Sequence, residues 1–454
     1  MEDTRINTTE EWKYMQQVCE QLCFGIYELR CLADNGEQVL RYFIVIKDEN
    51  GLIWKWTRLA QYADTRTGVV SSITRSNYKK VRYVTQMLNY FFCGPDTPHR
   101  IHRFSQITYE KITDYFEHYA KTPSERTGRY RTQLQVSECI LTCTQFVDNL
   151  LKDGIKLAVK KKELWKKEEK LERQGGQIHS YQKKTTTIPN FHVTCFSEDK
   201  QPIFRDIPNQ VLQRMFQLAF RYMPHLMMPM ALGAFAGLRP GECCQVQQEF
   251  VGGFQCQYVA GKLHAVTFDL TRNRQLRGDG VSTGSIKRRR KQKVYPGFLE
   301  PFQRILQFQK RYLEQIGFEP EFAPLVVNSR GVAMTTAAYS SAFQKLVEVY
   351  LRPSLLQDED PYMQQYGQML LENKLGPHAL RHWFSVTLVL DGVNATLLQY
   401  YRGDRDIESS YVYVTNKSEL VKQYQKTTAG MVDEILKEGV YYAGKELHSA
   451  QSGN

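Results

Sequence analysis

The sequence predicts an α+β protein that is mainly helical, and three observations carry that prediction. Apolar residues recur at helical spacing over long stretches in both halves of the 454-residue chain. A short alternating, turn-punctuated stretch near the N-terminus reads as a small β meander. Between the halves lies a Lys-rich segment broken by Gly175-Gly176, which reads as a connector. Hydrophobic residues make up 42% and charged residues 24%, a globular balance.

The elements follow in order. IYELRCL, QVLRYFIVIK and LIWKW form a meander over 26–57, turned by Asp34-Asn35-Gly36 and Asn50-Gly51. This sheet is read as a packing appendage or dimer contact in preference to an accessory DNA-binding surface. Residues 72–151 read as all-helical. In SNYKKVRYVTQMLNYFF, Val81, Val84, Leu88 and Phe91 share one face, and Arg75, Lys79 and Arg82 share the opposite one. A basic stripe of that kind can follow a phosphate backbone. Arg126, Arg129 and Arg131 precede a further helix over 130–151. A charged helix and then a flexible connector are expected over 152–187. Beyond 203 come helices at 207–222 and 224–236, short strands around 256–270 and 292–296, a long helix at 298–316, a strand and turn at APLVVNSRG, and a helix at 337–351. The expected partition is a meander region 1–62, a helical domain 63–151, a basic linker 152–195, a mixed domain 196–445 and a tail 446–454.

Composition also excludes functions. The most apolar run, Leu226–Leu238, is 13 residues long and is interrupted by Pro229. A membrane span needs roughly 20. The polar start, MEDTRINTTEEW, carries no signal-peptide stretch. A cytoplasmic protein with no membrane partner is expected, nucleoid-associated when bound to DNA. The ten cysteines form no C-x-x-C pair. Cys19/Cys23 and Cys139/Cys143 suit helix faces, and all are read as reduced thiols, not zinc ligands. Sixty Lys+Arg against 48 Asp+Glu give +12, which favours a polyanionic partner.

Four segments carry candidate chemistry: Gly237-Leu238-Arg239-Pro240-Gly241-Glu242, the basic run Ser285–Pro296, His378-Ala379-Leu380-Arg381-His382, and Arg402–Val414. They supply two arginines, a histidine, lysines and a tyrosine, with no carboxylate cluster suited to Mg²⁺. Arg forks bind phosphate in a bidentate manner and neutralise the added charge of five-coordinate phosphorus. Lys can protonate an alkoxide leaving group. Tyr can form a covalent phosphodiester. The set points to transesterification without cofactor or metal.

These residues resemble the tyrosine recombinase (phage integrase) family. GLRPGE is similar to the family's [T/A]-G-x-R-x-x-E box and HALRH to its H-x-L-R-H box. LVLDGVNATLLQYYRGD is similar to the L-x-x-G-V…L-L-G-H run, with Gly403 at its glycine and Tyr413 ten residues on. The resemblance spans about 200–440; the helical 72–151 region resembles the family's core-binding domain more loosely. It implies a helical core-binding domain and a mixed catalytic domain that grip duplex DNA. It also implies a site-specific integrase of a mobile element working through a 3′-phosphotyrosine. In the implied roles Arg239 and Arg381 clamp the phosphate, His378 assists proton transfer, and Tyr413 attacks, with Tyr411 the fallback. Glu242 supports Arg239, and His382 and Trp383 are structural. The implied catalytic lysine is Lys287, with Lys291 and Lys293 as competitors. The implied partners are double-stranded attachment sites, a homodimer per site, a homotetramer per synapse, and accessory directionality or DNA-bending proteins. Type IB topoisomerase-like relaxation and a silent DNA-binding regulator are the alternatives. One departure stands out: the family's usual His or Trp after the glycine is Asp404 here, a carboxylate that must be paired, protonated or turned away beside a phosphate.

Overall fold

The computed structural model describes residues 22–63, 65–66, 69–70, 78–93, 100–125, 128–173, 181–196 and 206–404. The fold is α+β, mainly helical, with small antiparallel sheets. The chain divides into two compact units, Met1–Cys31 with Val39–Gln201, and Leu32–Gln38 with Pro202–Asn454.

In the first unit the meander is a three-stranded sheet of Cys23–Leu32, Gln38–Lys47 and Ile53–Trp56. Its alternation places Leu40, Tyr42, Ile44 and Ile46 inward, in one hydrophobic cluster with the helices Tyr78–Phe92, Tyr109–Lys121 and Gln133–Lys152. The meander therefore shares a core with the helices that follow. On its other face Trp56 packs edge-on against Tyr27 at 4.9 Å and Phe43 at 5.7 Å while staying half exposed. Thr108 and Thr132 cap the second and third helices by accepting N–H bonds from Lys111 and Gln135.

Three local expectations are corrected. The charged helix expected after residue 152 is a single turn, Lys161–Leu164, followed by an antiparallel hairpin of Trp165–Arg173 and Tyr181–Pro189. The Thr185-Thr186-Thr187-Ile188 run is β-branched, and its pairing with 165–173 overrides the helical propensity of the Lys and Glu residues there. Cys23 lies exposed on a strand, not on a helix face; Cys19 is outside the described residues. APLVVNSRG makes only isolated bridges, Gln247 with Pro324 and Val327 with Ala333, around a turn in which Asn328 accepts the Arg330 N–H.

The second unit is built around helix Met227–Ala236, whose ten residues are all buried. A helix apolar on every side belongs inside a core. Its Phe235 meets Phe216 of helix Asn209–Tyr222, Phe298 before helix Leu299–Ile316, and Trp383 of helix His378–Leu390. Strands Phe254–Val259, Lys262–Leu270 and Arg290–Lys293 form its sheet, with the middle strand in sequence also central in space. Helix Thr336–Lys345 widens into a π-helical turn, Leu346–Leu351, before Arg352–Leu356. Among the described residues no helix is long and apolar enough to cross a membrane.

Candidate active site

Each segment singled out in the sequence is shaped by local rules that aim its charged residue. Helix Met227–Ala236 ends at Gly237 in the left-handed region, φ 62°. A Cβ there would also lie 2.6 Å from the Phe384 ring, so glycine is required twice over. The chain then turns extended at Arg239, and Pro240 starts a one-turn helix. Glu242, its third residue, reaches back to accept the Arg239 backbone N–H at 3.0 Å and its Nη1–H at 3.1 Å.

Helix His378–Leu390 starts at His378, which is exposed, and carries Arg381 one turn later, which is 5% exposed. Helix Ala395–Arg402 ends at Gly403, φ 62°, where any side chain would overlap the Arg290 guanidinium. The strand Arg290–Lys293 alternates: Arg290 and Gln292 turn inward, while Lys291 and Lys293 are exposed.

These elements converge on a cluster of four guanidiniums and two carboxylates. Asp404 Oδ1 accepts from Arg239 Nη2 at 2.7 Å and from Arg381 Nη2 at 2.6 Å. Arg402 Nε lies 2.7 Å from Asp404 Oδ2 as an ion pair, without the alignment of a hydrogen bond. Arg290 grips Glu242 with both terminal nitrogens, at 3.0 and 2.9 Å. Arg381 Nη1 also donates to the carbonyls of Gly237 and Arg402. Arg288 donates to the Asp404 carbonyl, and Gln292 ties the Ala236 and Tyr401 carbonyls together.

Burial and the neighbouring Arg239 and Arg402 push the Arg381 guanidinium down to about 9, against the pull of Asp404 and Glu242. It remains a cation at neutral pH. Burial pushes the Glu242 carboxyl up, but Arg290 and Arg239 more than offset this and hold it below the ordinary carboxylate range. Burial pushes the Cys244 thiol up to about 12 and Cys243 well above its usual range, so neither supplies a thiolate.

The expected residues thus fall into groups. Arg239, Arg381 and Asp404 meet. Asp404 pairs with Arg402, and it also binds the two arginines read as the phosphate clamp. Tyr413 and Tyr411 lie outside the described residues. Lys287 is exposed in the segment leading to the strand; Arg288 and Arg290 are the members of the basic run whose hydrogen bonds reach the cluster. Arg290 was missed as a site residue, although Arg290, Gln292 and Val294 alternate at strand spacing and that was the available signal.

Of the expected DNA-facing residues in the first unit, Arg75 and Arg126 lie outside the described residues. Lys79 and Arg82 are exposed, Lys79 lying 3.4 Å from Glu138 and Arg82 at 5.9 Å over the Tyr83 ring. Arg129 is exposed. Arg131 is half-buried: its Nη1 donates to the Tyr119 and Thr122 carbonyls at the end of helix Tyr109–Lys121, and its guanidinium lies 4.0 Å over the Tyr119 ring. These bonds make it a helix cap. His382 faces Asp206, and Trp383 donates to Asn209 at 2.8 Å. Among the described residues no three His, Cys, Asp or Glu side chains gather as a metal site.

No family model and no curated protein matches the chain. Among solved structures it is similar to the Tn1549 transposon integrase in complex with a circular intermediate DNA, at 15% identity over 77% of this chain and 90% of that one, TM-score 0.48. It is similar to the XerH site-specific recombinase bound to difH substrate, at 12% over 78% and 80%, TM-score 0.42. It is also similar to a lambda integrase (75–356) dimer bound to a COC′ core site, at 12% over 74% and 88%, TM-score 0.38.

Proposed function

We propose that this chain is a site-specific tyrosine recombinase that integrates or excises a mobile element. The observation that carries the reading is the convergence of Arg239 and Arg381 on one oxygen of an anion. They are the two arginines that the ordered motifs assign to phosphate, and they come from segments 142 positions apart in sequence. Two guanidiniums sharing one oxygen at 2.6–2.7 Å make a clamp for a phosphoryl oxygen.

In this reading the clamp holds the scissile phosphodiester. The Tyr413 phenol gives up its proton to His378 or water, its oxygen attacks phosphorus, and the bond from phosphorus to the 5′-oxygen breaks. The departing 5′-oxygen takes a proton from Lys287, with Lys291 and Lys293 as the alternatives. His378 assists the proton transfer or donates to a phosphate oxygen. Glu242 and Arg290 act through Arg239 by fixing its direction. The phosphotyrosine conserves the bond energy, and a free 5′-hydroxyl from a partner strand reverses the step. Lys79, Arg82 and Arg129 would meet the DNA backbone. Two protomers per site and four per synapse belong to the same proposal.

Asp404 favours one second reading, a DNA-binding regulator without catalysis, because a carboxylate stands in the clamp. Covalent capture separates the two. Nicked duplexes carrying a candidate attachment site are incubated with the protein without metal and run on a denaturing gel. The expected result is a protein–DNA adduct that Tyr413→Phe abolishes and Tyr411→Phe leaves. An adduct lost only with Tyr411→Phe moves the nucleophile by two residues. No adduct on a tightly bound duplex favours the regulator.

A further inference from the structure

The two carboxylates of the cluster differ in kind. Glu242 is fully buried and accepts four hydrogen bonds, two from Arg239 and two from Arg290. Asp404 offers one hydrogen-bonded oxygen to two arginines, and its other oxygen faces Arg402 without hydrogen-bond alignment. A permanent member of a buried ion cluster is expected to satisfy both its oxygens. The Oδ1 position, held by one Nη2 from each clamp arginine, is where an oxygen of a bound phosphate has to sit.

We infer that Asp404 is a built-in occupant of the Arg239–Arg381 clamp, seated there when no DNA is bound and displaced when a phosphodiester enters. This rests on the recombinase reading of the clamp and concerns its regulation. The fold provides for the exchange. Arg288 holds the Asp404 backbone carbonyl, so the main chain stays fixed while the side chain turns. Arg402, already 2.7 Å from Oδ2, offers the displaced carboxylate a cation. Asp404 follows Gly403, the left-handed end of helix Ala395–Arg402, so the carboxylate is carried only two residues beyond that helix. The occupant also shields the clamp from stray anions, so that only a phosphate delivered by extensive backbone contacts gains entry. Asp404 is then a gate and not a group that touches the reacting atoms.

The test is isothermal titration of the full chain with inorganic phosphate at low ionic strength. It compares the wild type with Asp404→Asn and Asp404→Ala, each with and without Arg239→Ala. Circular dichroism checks folding, and the isosteric asparagine serves if the alanine variant does not fold. A clamp occupied about nine-tenths of the time binds an outside ligand about tenfold more weakly than an open one. Phosphate affinity is therefore expected to rise about tenfold in the Asp404 variants, and the gain should vanish with Arg239→Ala. If affinity stays level or falls in the Asp404 variants while Arg239→Ala still abolishes binding, the clamp stands and the gate is overturned. If Arg239→Ala changes nothing in any background, the clamp is wrong and the gate falls with it.

Discussion

Neutralising Glu242 tests whether the cluster is held together by the pairs the structure shows. In Glu242→Gln the side chain keeps its shape, but two guanidiniums lose their charged acceptor at a position with no solvent exposure. Removing one partner of a buried ion pair costs about 3–5 kcal/mol, and the retained amide oxygen places this variant near the lower end, about 3 kcal/mol. The Glu242 carboxyl titrates lower in the folded chain than its ordinary 4.5, despite the upward push of burial, because Arg290 and Arg239 hold it. Its contribution is therefore fully present above about pH 4.5 and is lost as the pH falls through the lower, folded value. Trp383 is the one tryptophan of the second unit. Urea unfolding is followed by its fluorescence with Trp12, Trp54, Trp56 and Trp165 replaced by Phe in both proteins, so the background cancels. The stability gap is expected to be about 3 kcal/mol at pH 7 and to narrow below pH 4.5. A gap under about 1 kcal/mol, or one that does not change with pH, refutes the reasoning.

Three further outcomes follow from the same geometry. Arg381→Lys leaves one ammonium for the Gly237 and Arg402 carbonyls and Asp404; covalent adduct formation should fall about 10²–10³-fold with near-UV circular dichroism retained. Gly237→Ala forces a left-handed alanine, about 1–2 kcal/mol, and drives its Cβ into Phe384, about 1–3 kcal/mol more; urea unfolding of the second unit measures the sum. Arg131→Ala should destabilise the first unit by about 1–2 kcal/mol, yet leave the salt dependence of duplex binding unchanged, whereas alanine at Lys79, Arg82 or Arg129 should flatten that dependence by about one counterion each.

Where the sequence was legible, one physical rule dominated locally. Helices such as Tyr78–Phe92, Leu299–Ile316 and Asn209–Tyr222 show strong one-sided periodicity, and their ends fall within a few residues of the expected ones. The meander was marked by alternation and turn residues. The Trp165–Pro189 hairpin was not legible, because WKKEEKLER carries helical propensity and only its partner strand decides otherwise. The site splits in the same way. Arg239 and Arg381 stand out because their neighbours are structurally constrained: Gly237 and Pro240 by backbone angle, Leu380 and Phe384 by burial. The capping role of Arg131 was not legible, because charge alone cannot distinguish a solvated guanidinium from one that caps a helix. Arg290 hid among the five consecutive basic residues 287–291, and only the strand register separates the inward side chains from the outward ones.

The sharing of one Asp404 oxygen by Arg239 and Arg381 suits the cluster to receive an anion. Among the described residues four guanidiniums ion-pair with two carboxylates in a largely buried volume. Burial, Arg239 and Arg402 together bring the Arg381 guanidinium to about 9 even with Asp404 in place. Withdrawing Asp404 onto Arg402 alone would leave Arg239 and Arg290 on Glu242 and Arg381 without the carboxylate that pairs with it. That arrangement is tolerable only if another anion arrives at the same time. A phosphodiester brings one negative charge, and its five-coordinate transition state brings a second for the two guanidiniums to neutralise. The clamp is therefore expected to bind vanadate, which is tetrahedral when free but takes on a fifth oxygen ligand far more readily than phosphate, more tightly than phosphate, and Arg381→Lys should erase most of that preference. Equal affinity for the two oxyanions in the wild type and in Asp404→Asn would show that the clamp is not tuned to the transition state.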